Sequence, residues 1–269
     1  MLPISRRILR NTNRMRHSAA QNGDMLLWNL SNRQNTGGCA WPIGGFGPDG
    51  TMTAGATWGG PIRPGGFGVP FSFDGVDDYI DFGAYAGYVA NTISMSCWAY
   101  FTSLSNAYTG IMSIGNGGST IHTMYVKSSG LLAMYGGNGG ASYDGTGTYT
   151  LVTNRWYHLT LTWDSTNGLS GYVDGCLDGT GAGGSNVALS GAIVYGRDQI
   201  TGGRFMSGYM DDCRVSNRFP SLRADEVRKL YYASLAGYPE ELNWKYRRVG
   251  AAAAAGGSSR NLLLLGCGA

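Results

Sequence analysis

Alternation with a period of two dominates the middle of the chain. Ile93, Met95, Cys97, Ala99 and Phe101 fall on one side of an extended run, and Ser94, Ser96, Trp98 and Tyr100 on the other. Bulk on both sides predicts a strand inside a sandwich or beneath a loop. Residues 155–163 repeat the pattern, with Tyr157, Leu159, Leu161 and Trp163 together. Residues 110–114, 120–126 and 131–135 read as a meander broken by Gly and Ser-Gly turns. Shorter extended runs sit at 25–31, 39–43 and 51–57. Residues 187–192 and 193–196 predict a further strand pair, and 208–216 the last strand. Helical spacing is clear over 221–231, with Val227, Leu230 and Tyr231 as its apolar stripe. Ser221 is the expected cap, Asp225 and Glu226 fill the first turns, and Arg228 and Lys229 suit the C-terminal end.

Residues 71–82 organise the rest. Phe71, Phe73 and Val76 are expected to face inward, around a tight turn at Asp74-Gly75. Glycine accepts positive φ without steric cost, and aspartate caps its own turn. Asp74, Asp77 and Asp78 crowd that turn, and like charges repel unless something positive lies between them. The turn is either solvated or half of a cation site. Residues 136–148 read as a glycine-rich loop, a binding rim or a close contact between subunits. Residues 171–175 predict a hairpin turned at Asp174-Gly175.

Composition narrows the class. Forty-five glycines in 269 residues, with 14% charged residues, suit many short strands and exclude a helical bundle. A net charge of +3 is too small for a chain-wide nucleic-acid surface. Basic charge gathers in residues 1–24, where Arg6, Arg7, Arg10, Arg14 and Arg16 precede the first acidic residue, Asp24. That arm, with a short helix expected near 8–16, is either solvated or docks a partner. A mitochondrial transit peptide shares its composition. It has no apolar stretch of the kind a secretory signal needs, and no segment approaches the ~20 apolar residues of a membrane span. Residues 236–269 form a tail without a core of its own, including Trp244, Arg247 and Arg248. Arm and tail are the expected assembly devices. Cys39, Cys97, Cys176, Cys213 and Cys267 are an odd set without a CxxC pair, so mostly free thiols in a reducing compartment are expected. Cys97 and Cys213 fall on apolar strand faces.

The stretch Ser72-Phe-Asp-Gly-Val-Asp-Asp-Tyr-Ile80 resembles a segment of laminin-G-like, concanavalin A-like jelly-roll domains. Residues 50–58, 93–101, 155–164, 171–175, 208–218 and 221–231 are similar to the strands and closing helix of that family. The likeness covers about residues 25–235, and no internal repeat is visible. It departs at Asp212 and Ser216, where the family usually has Glu and Tyr. It implies an all-β fold: a two-sheet antiparallel β-sandwich, with a basic N-terminal arm, a short C-terminal helix and an extended tail. The expected division is an arm at 1–24, the domain at 25–235 and an extension at 236–269.

Three chemistries follow as expectations. Glycoside hydrolysis needs two facing carboxylates, and the enzymes of this fold carry them on a Glu-rich strand. The chain has three Glu, at 226, 240 and 241, all outside the strand region. Asp211 and Asp212 are adjacent on one strand, so alternation sets them on opposite faces. The expectation is therefore a non-enzyme. Calcium takes six to eight oxygens, and many laminin-G-like domains bind it. The candidates are Asp74, Asp77 and Asp78, with Asp211 from the last strand; the bland reading is that these cap strand ends. Sugars stack on aromatics at loops and strand ends, which points to Trp41, Trp58, Tyr108 and Tyr143, although tyrosine is also an ordinary half-buried sheet residue.

The expected function is a non-enzymatic structural and interaction protein of a large assembly. A virion component is the setting foreseen: a capsid-decorating, head-fibre or tail protein, assembled in a reducing cytoplasm and displaying a module for glycans or receptors. Its partners would be capsid or tail subunits, with homo-oligomers, and not nucleic acid. The alternative is a secreted or cell-surface carbohydrate-binding module. A glycoside hydrolase is the third class.

Overall fold

The computed structural model describes residues 25–29, 39–40, 50–66, 69–84, 88–90, 92–115, 120–138, 141–182, 187–189, 191–200, 203–216 and 221–236. For 25–29, 39–40, 84, 88–90, 120, 138, 141–144 and 187–189 the backbone alone is described. The expected arm and most of the tail lie outside these residues.

The strands are, in chain order, β1 (Met25–Asn29), β2 (Cys39–Ala40), β3 (Gly50–Thr53), β4 (Thr57–Trp58), β5 (Phe71–Asp74) and β6 (Tyr79–Ala84). β7 (Tyr88–Ala90), β8 (Thr92–Phe101), β9 (Tyr108–Gly115), β10 (Thr120–Lys127), β11 (Leu131–Asn138) and β12 (Ala141–Thr150) follow. Then come β13 (Trp156–Asp164), β14 (Gly168–Val173), β15 (Cys176–Gly181), β16 (Val187–Leu189), β17 (Ala192–Tyr195) and β18 (Ser207–Ser216). One helix, α1 (Ala224–Leu235), closes the described chain.

All of these strand pairings are antiparallel. One layer runs β2-β3-β6-β17-β9-β10-β11-β12 and the other β15-β14-β13-β8-β18-β5-β4, with β1 beside β18. Among the described residues the layers join through one ladder pair, Gly145 with Gly181, and through the Thr148 and Tyr149 amides, which donate to Asp178 Oδ1 of β15. Their inner faces close on one core that includes Phe71, Phe82, Ile93, Phe101, Leu161, Trp163 and Tyr195. Period-two alternation makes this possible, since every second side chain of β8 and β13 reaches the same interior. Full burial of such side chains contributes roughly 1.5–3 kcal/mol each.

The outer face of β14–β13–β8 lies under α1. Val227 and Leu230 pack on Leu222 and Tyr172, and the Trp98 indole donates to Ser234 Oγ at 2.9 Å. His158, on the same face of β13, sits between Trp98 and Tyr231. Burial pushes its pKa down to about 3. His122, in the core against Trp163, is lowered to about 3 for the same reason.

Four expectations are corrected. Val76 is 70% exposed rather than inward, because Asp74 Oδ1 accepts the Val76 and Asp77 amides and curls the chain outward first. Residues 136–148 are mostly strand, the β11–β12 hairpin, in place of a loop. β16 pairs with β7, and β17 with β6 and β9, so 187–196 is no hairpin. Ser221 does not cap α1. Its hydroxyl donates to Asp164 Oδ2, and Arg223 is the cap residue, its amide bonded to Glu226. The Asp174-Gly175 turn is as expected, with φ of 49° and 78°, the left-handed pair that matches strand twist.

Candidate functional site

Tyr108 and Lys127 are direct partners across β9 and β10. Tyr125 stands two residues from Lys127, on the side away from the core, since Met124 and Val126 point inward. The Tyr108 and Tyr125 rings meet edge to face at 5.2 Å. Over them lies Arg204, its guanidinium carbon 4.1 Å from the Tyr108 centroid and 5.8 Å from that of Tyr125. Such stacking contributes about 0.5–2 kcal/mol. Arg204 Nη1 donates to Asp198 Oδ2 at 2.9 Å, and Asp198 is fully buried. Among the described residues, Nη1 is the one guanidinium nitrogen of Arg204 that meets a hydrogen-bond partner. Lys127 Nζ donates to Thr146 Oγ1 at 3.0 Å, bridging toward β12.

The connection between β17 and β18 delivers Arg204. Its two arms pair at Arg197 and Phe205. They sit down on Gly110 of β9, whose amide donates to Arg204 O at 3.1 Å. A Cβ at Gly110 would lie 2.1 Å from Asp198 N and 2.5 Å from Arg204 O. Glycine is therefore required by the close approach of two backbones. On the other side of this loop, the Arg197 guanidinium stacks 3.7 Å from the Tyr79 centroid. The result is an aromatic floor crossed by fixed cations. The Arg204 N–H groups that meet no partner among the described residues can donate hydrogen bonds to a ligand beside the rings.

At the β5–β6 turn, ligand atoms of Asp74, Asp77 and Asp78 lie within 4.8 Å of one another. Asp74 and Asp77 are exposed, while Asp78 is 4% exposed. Asp78 Oδ2 accepts the Asp74 amide at 2.8 Å. Its Oδ1 is buried without a hydrogen-bond partner. Burial, against the Asp74 amide and with repulsion from Asp74 and Asp77, holds the Asp78 carboxyl above the usual range. An orphaned carboxylate oxygen among three clustered acids fits a hard cation with oxygen ligands.

Asp211 does not join that cluster. Arg63 Nε donates to Asp211 Oδ2 at 2.8 Å, and Arg63 Nη2 lies 3.6 Å from Asp212 Oδ2. Strict alternation would have separated the two aspartates. Instead β18 bulges between Asp211 and Arg214, with Asp212 at φ 51°. Met210 and Cys213 both keep their place in the core, so both carboxylates turn outward toward one guanidinium. Arg214 holds Asp212 Oδ1 at 2.8 Å from its far side.

Residues 74–228, more than half of the chain, match the family described as the concanavalin A-like lectin/glucanases superfamily, in a laminin-G branch. The chain belongs to that superfamily. No curated protein matches this laminin-G-like chain. Domain 4 of AbnA, a GH43 extracellular arabinanase from Geobacillus stearothermophilus solved with arabinotriose, is similar at 17% identity and TM-score 0.56. That likeness covers 77% of this chain and 98% of the arabinanase domain. The ligand binding domain of botulinum neurotoxin serotype D, solved with N-acetylneuraminic acid, is 16% identical with TM-score 0.60 over 80% of this chain. Trypanosoma rangeli sialidase in complex with sialic acid is 13% identical, with TM-score 0.56 over 86% of this chain. The chain spans 52% of the toxin domain and 39% of the sialidase. At these identities the likeness establishes the fold.

Other expected site residues of the laminin-G-like domain are dispersed. Trp58 is half-buried, its ring 4.4 Å from that of Phe71 at the edge of the core. Tyr143 lies in β12 opposite Gly136, and its side chain is outside the described residues. Trp41, Arg6, Arg7, Arg10, Arg14, Arg16, Trp244, Arg247 and Arg248 are outside them too. Cys97 and Cys213 are free and buried as expected, whereas Cys176 is disulfide-bonded. Sequence reasoning missed Arg204, Asp198 and Tyr125. It also missed a second aromatic row, Trp156–Tyr100–Tyr209, on adjacent strands with centroids 5.5 and 5.6 Å apart. Cross-strand register was the signal for Tyr125 and for this row, and register depends on pairings distant in the chain, whereas Arg204 and Asp198 lie on the β17–β18 connection and carried no such signal. Among the described residues, no helix is long and apolar enough to cross a membrane.

Proposed function

We propose that the chain is a non-catalytic carbohydrate-binding module that holds its sugar on the outer face of β9–β12. The observation that carries this reading is Arg204 fixed over Tyr108 by a buried aspartate. Guanidinium donors already oriented above a half-buried ring meet hydroxyl groups with little ordering cost, and the exposed part of the ring packs on the sugar's apolar side. The arabinotriose and N-acetylneuraminic acid bound by similar structures support sugar as the ligand class. Asp211 and Asp212, at 2% and 1% exposure and clamped by arginines, are withdrawn from a glycosidic bond, which supports a non-enzyme.

Asp74, Asp77 and Asp78 would hold a calcium ion, which supplies positive charge to the turn. The module works facing outward, on a virion or a cell surface. A disulfide at Cys176 supports an oxidising setting over a reducing one. The test is binding of the full chain to immobilised oligosaccharides. Tyr108→Ala is expected to weaken a measured affinity about tenfold, the value of one lost aromatic contact. Unchanged affinity in that variant would remove the sugar from this face.

A further inference from the structure

We propose, resting on the reading above, that the saccharide held on this face is acidic, its carboxylate taken between Arg204 and Lys127. Arg204 stacks over the Tyr108–Tyr125 pair, and Lys127, the direct cross-strand partner of Tyr108, shares the same face of the sheet with its ammonium toward β12. The acid that Arg204 meets, Asp198, is fully buried beneath it, so it neutralises from below and meets no ligand. Its bond to Nη1 also fixes the plane of the guanidinium. The remaining N–H groups of Arg204 have no protein acceptor among the described residues. A guanidinium presents its donors as a flat fork that matches a carboxylate, a geometry lysine lacks. Lys127 donates to Thr146, an uncharged partner, and meets no acidic side chain among the described residues. Arg197, over Tyr79, extends the positive field without an acidic partner among the described residues.

A neutral sugar would leave this arrangement unused. Its hydroxyls are met equally well by amides and alcohols. A partly buried cation pair attracts an anion at longer range and holds it more strongly where water is excluded.

The experiment is titration calorimetry of the full chain with sialyllactose, a glucuronate-terminated oligosaccharide, a sulfated lactose, lactose and arabinotriose. The carboxylated sugars are expected to bind at least tenfold tighter than lactose and arabinotriose, with an advantage that shrinks as salt rises. Arg204→Gln is expected to erase the preference. Because that change strands Asp198, Lys127→Gln serves as a second variant, disturbing no buried charge, and is expected to cut the preference at least threefold. Equal binding of neutral and carboxylated sugars, unaltered in either variant, overturns the acidic assignment and leaves sugar binding standing. Tightest binding by the sulfated sugar overturns the carboxylate. Binding by none of the five overturns the sugar-binding reading together with this one.

Discussion

Arg63 Nε donates to Asp211 Oδ2 at 2.8 Å, joining a loop residue to the last strand across 148 positions of chain. The same guanidinium reaches Ser234 O at 2.8 Å and Pro64 O at 2.9 Å through Nη1, and lies 5.5 Å from the Trp98 ring. One side chain thereby ties together the loop, the bulged strand and the end of α1.

Removing it strands buried charge. Arg63→Met is expected to destabilise by about 3–5 kcal/mol, because Asp211 loses its cation in a site from which water is excluded. Arg63→Lys should recover part of that, having charge but one fewer direction for its donors. Urea unfolding of both variants is the check, and a loss below about 1 kcal/mol for the methionine variant contradicts the role assigned here.

Acid should unfold the domain earlier than its carboxylates alone would require. His122 and His158 stay neutral in the fold down to about 3, while in the unfolded chain they take up protons near 6.5. The contribution is intact above pH 6.5 and is lost as pH falls from there toward 3. Each histidine removes about 1.4 kcal/mol per pH unit within that window. Asp78 and Asp174, whose carboxyls burial holds above the usual carboxylate range, act in the opposite sense, each gaining stability as pH falls through its own raised pKa. Melting temperature measured from pH 7.5 to 5 should fall, and the slope should drop by about half in His122→Phe.

Gly110→Ala tests how the site is held. The new Cβ would strike the backbone at Asp198 and Arg204, neither of which is the tip of a flexible side chain. Overpacking of this kind costs about 1–3 kcal/mol. The variant should also lose sugar affinity more than Ser113→Ala, a nearby change that leaves Gly110 alone. Unfolding and calorimetry on the two proteins separate these effects.

Calcium should raise the melting temperature. Ion that binds only the folded turn, at a hundredfold excess over its Kd, is expected to add roughly 5–10 °C. Asp78→Asn should abolish the shift and, with its charge gone from a buried position, cost little in chelator. Differential scanning with calcium, with magnesium and with EGTA decides it; identical traces for the wild type remove the ion.

Much of this fold is legible from alternation. Ile93–Phe101 and Tyr157–Trp163 are strands because no helix tolerates that period, and both lie in the core layers. Asp174-Gly175 is legible because its dihedral angles suit few other residue pairs. Tyr108 is legible as an aromatic at a strand end. Arg204 is not, since its place over Tyr108 depends on a loop landing on Gly110, a meeting of residues with no local pattern to announce it. Residues 136–148 misled because glycine reads as a turn former, yet in β12 it lets Gly145 sit against Gly181 of β15. Val76 misled for a simpler reason: an apolar residue at the right count is still turned outward when the Asp74 carboxylate accepts the Val76 and Asp77 amides.

The bulge at Asp211 and Asp212 shifts the phase of the chain. Three residues of β18, from Asp211 to Arg214, advance against two of β8, from Trp98 to Ser96. Inward positions are therefore odd-numbered after Asp212 and even-numbered before Asp211, as Met210, Cys213 and Val215 record. Parity is a whole-number property, and no gradual adjustment of side chains can restore it. Deleting either aspartate returns the strand to a uniform count but leaves Arg63 facing one carboxylate, so strand phase and the loop cation can change only together. Here a backbone counting error and a buried charge are a single structural unit.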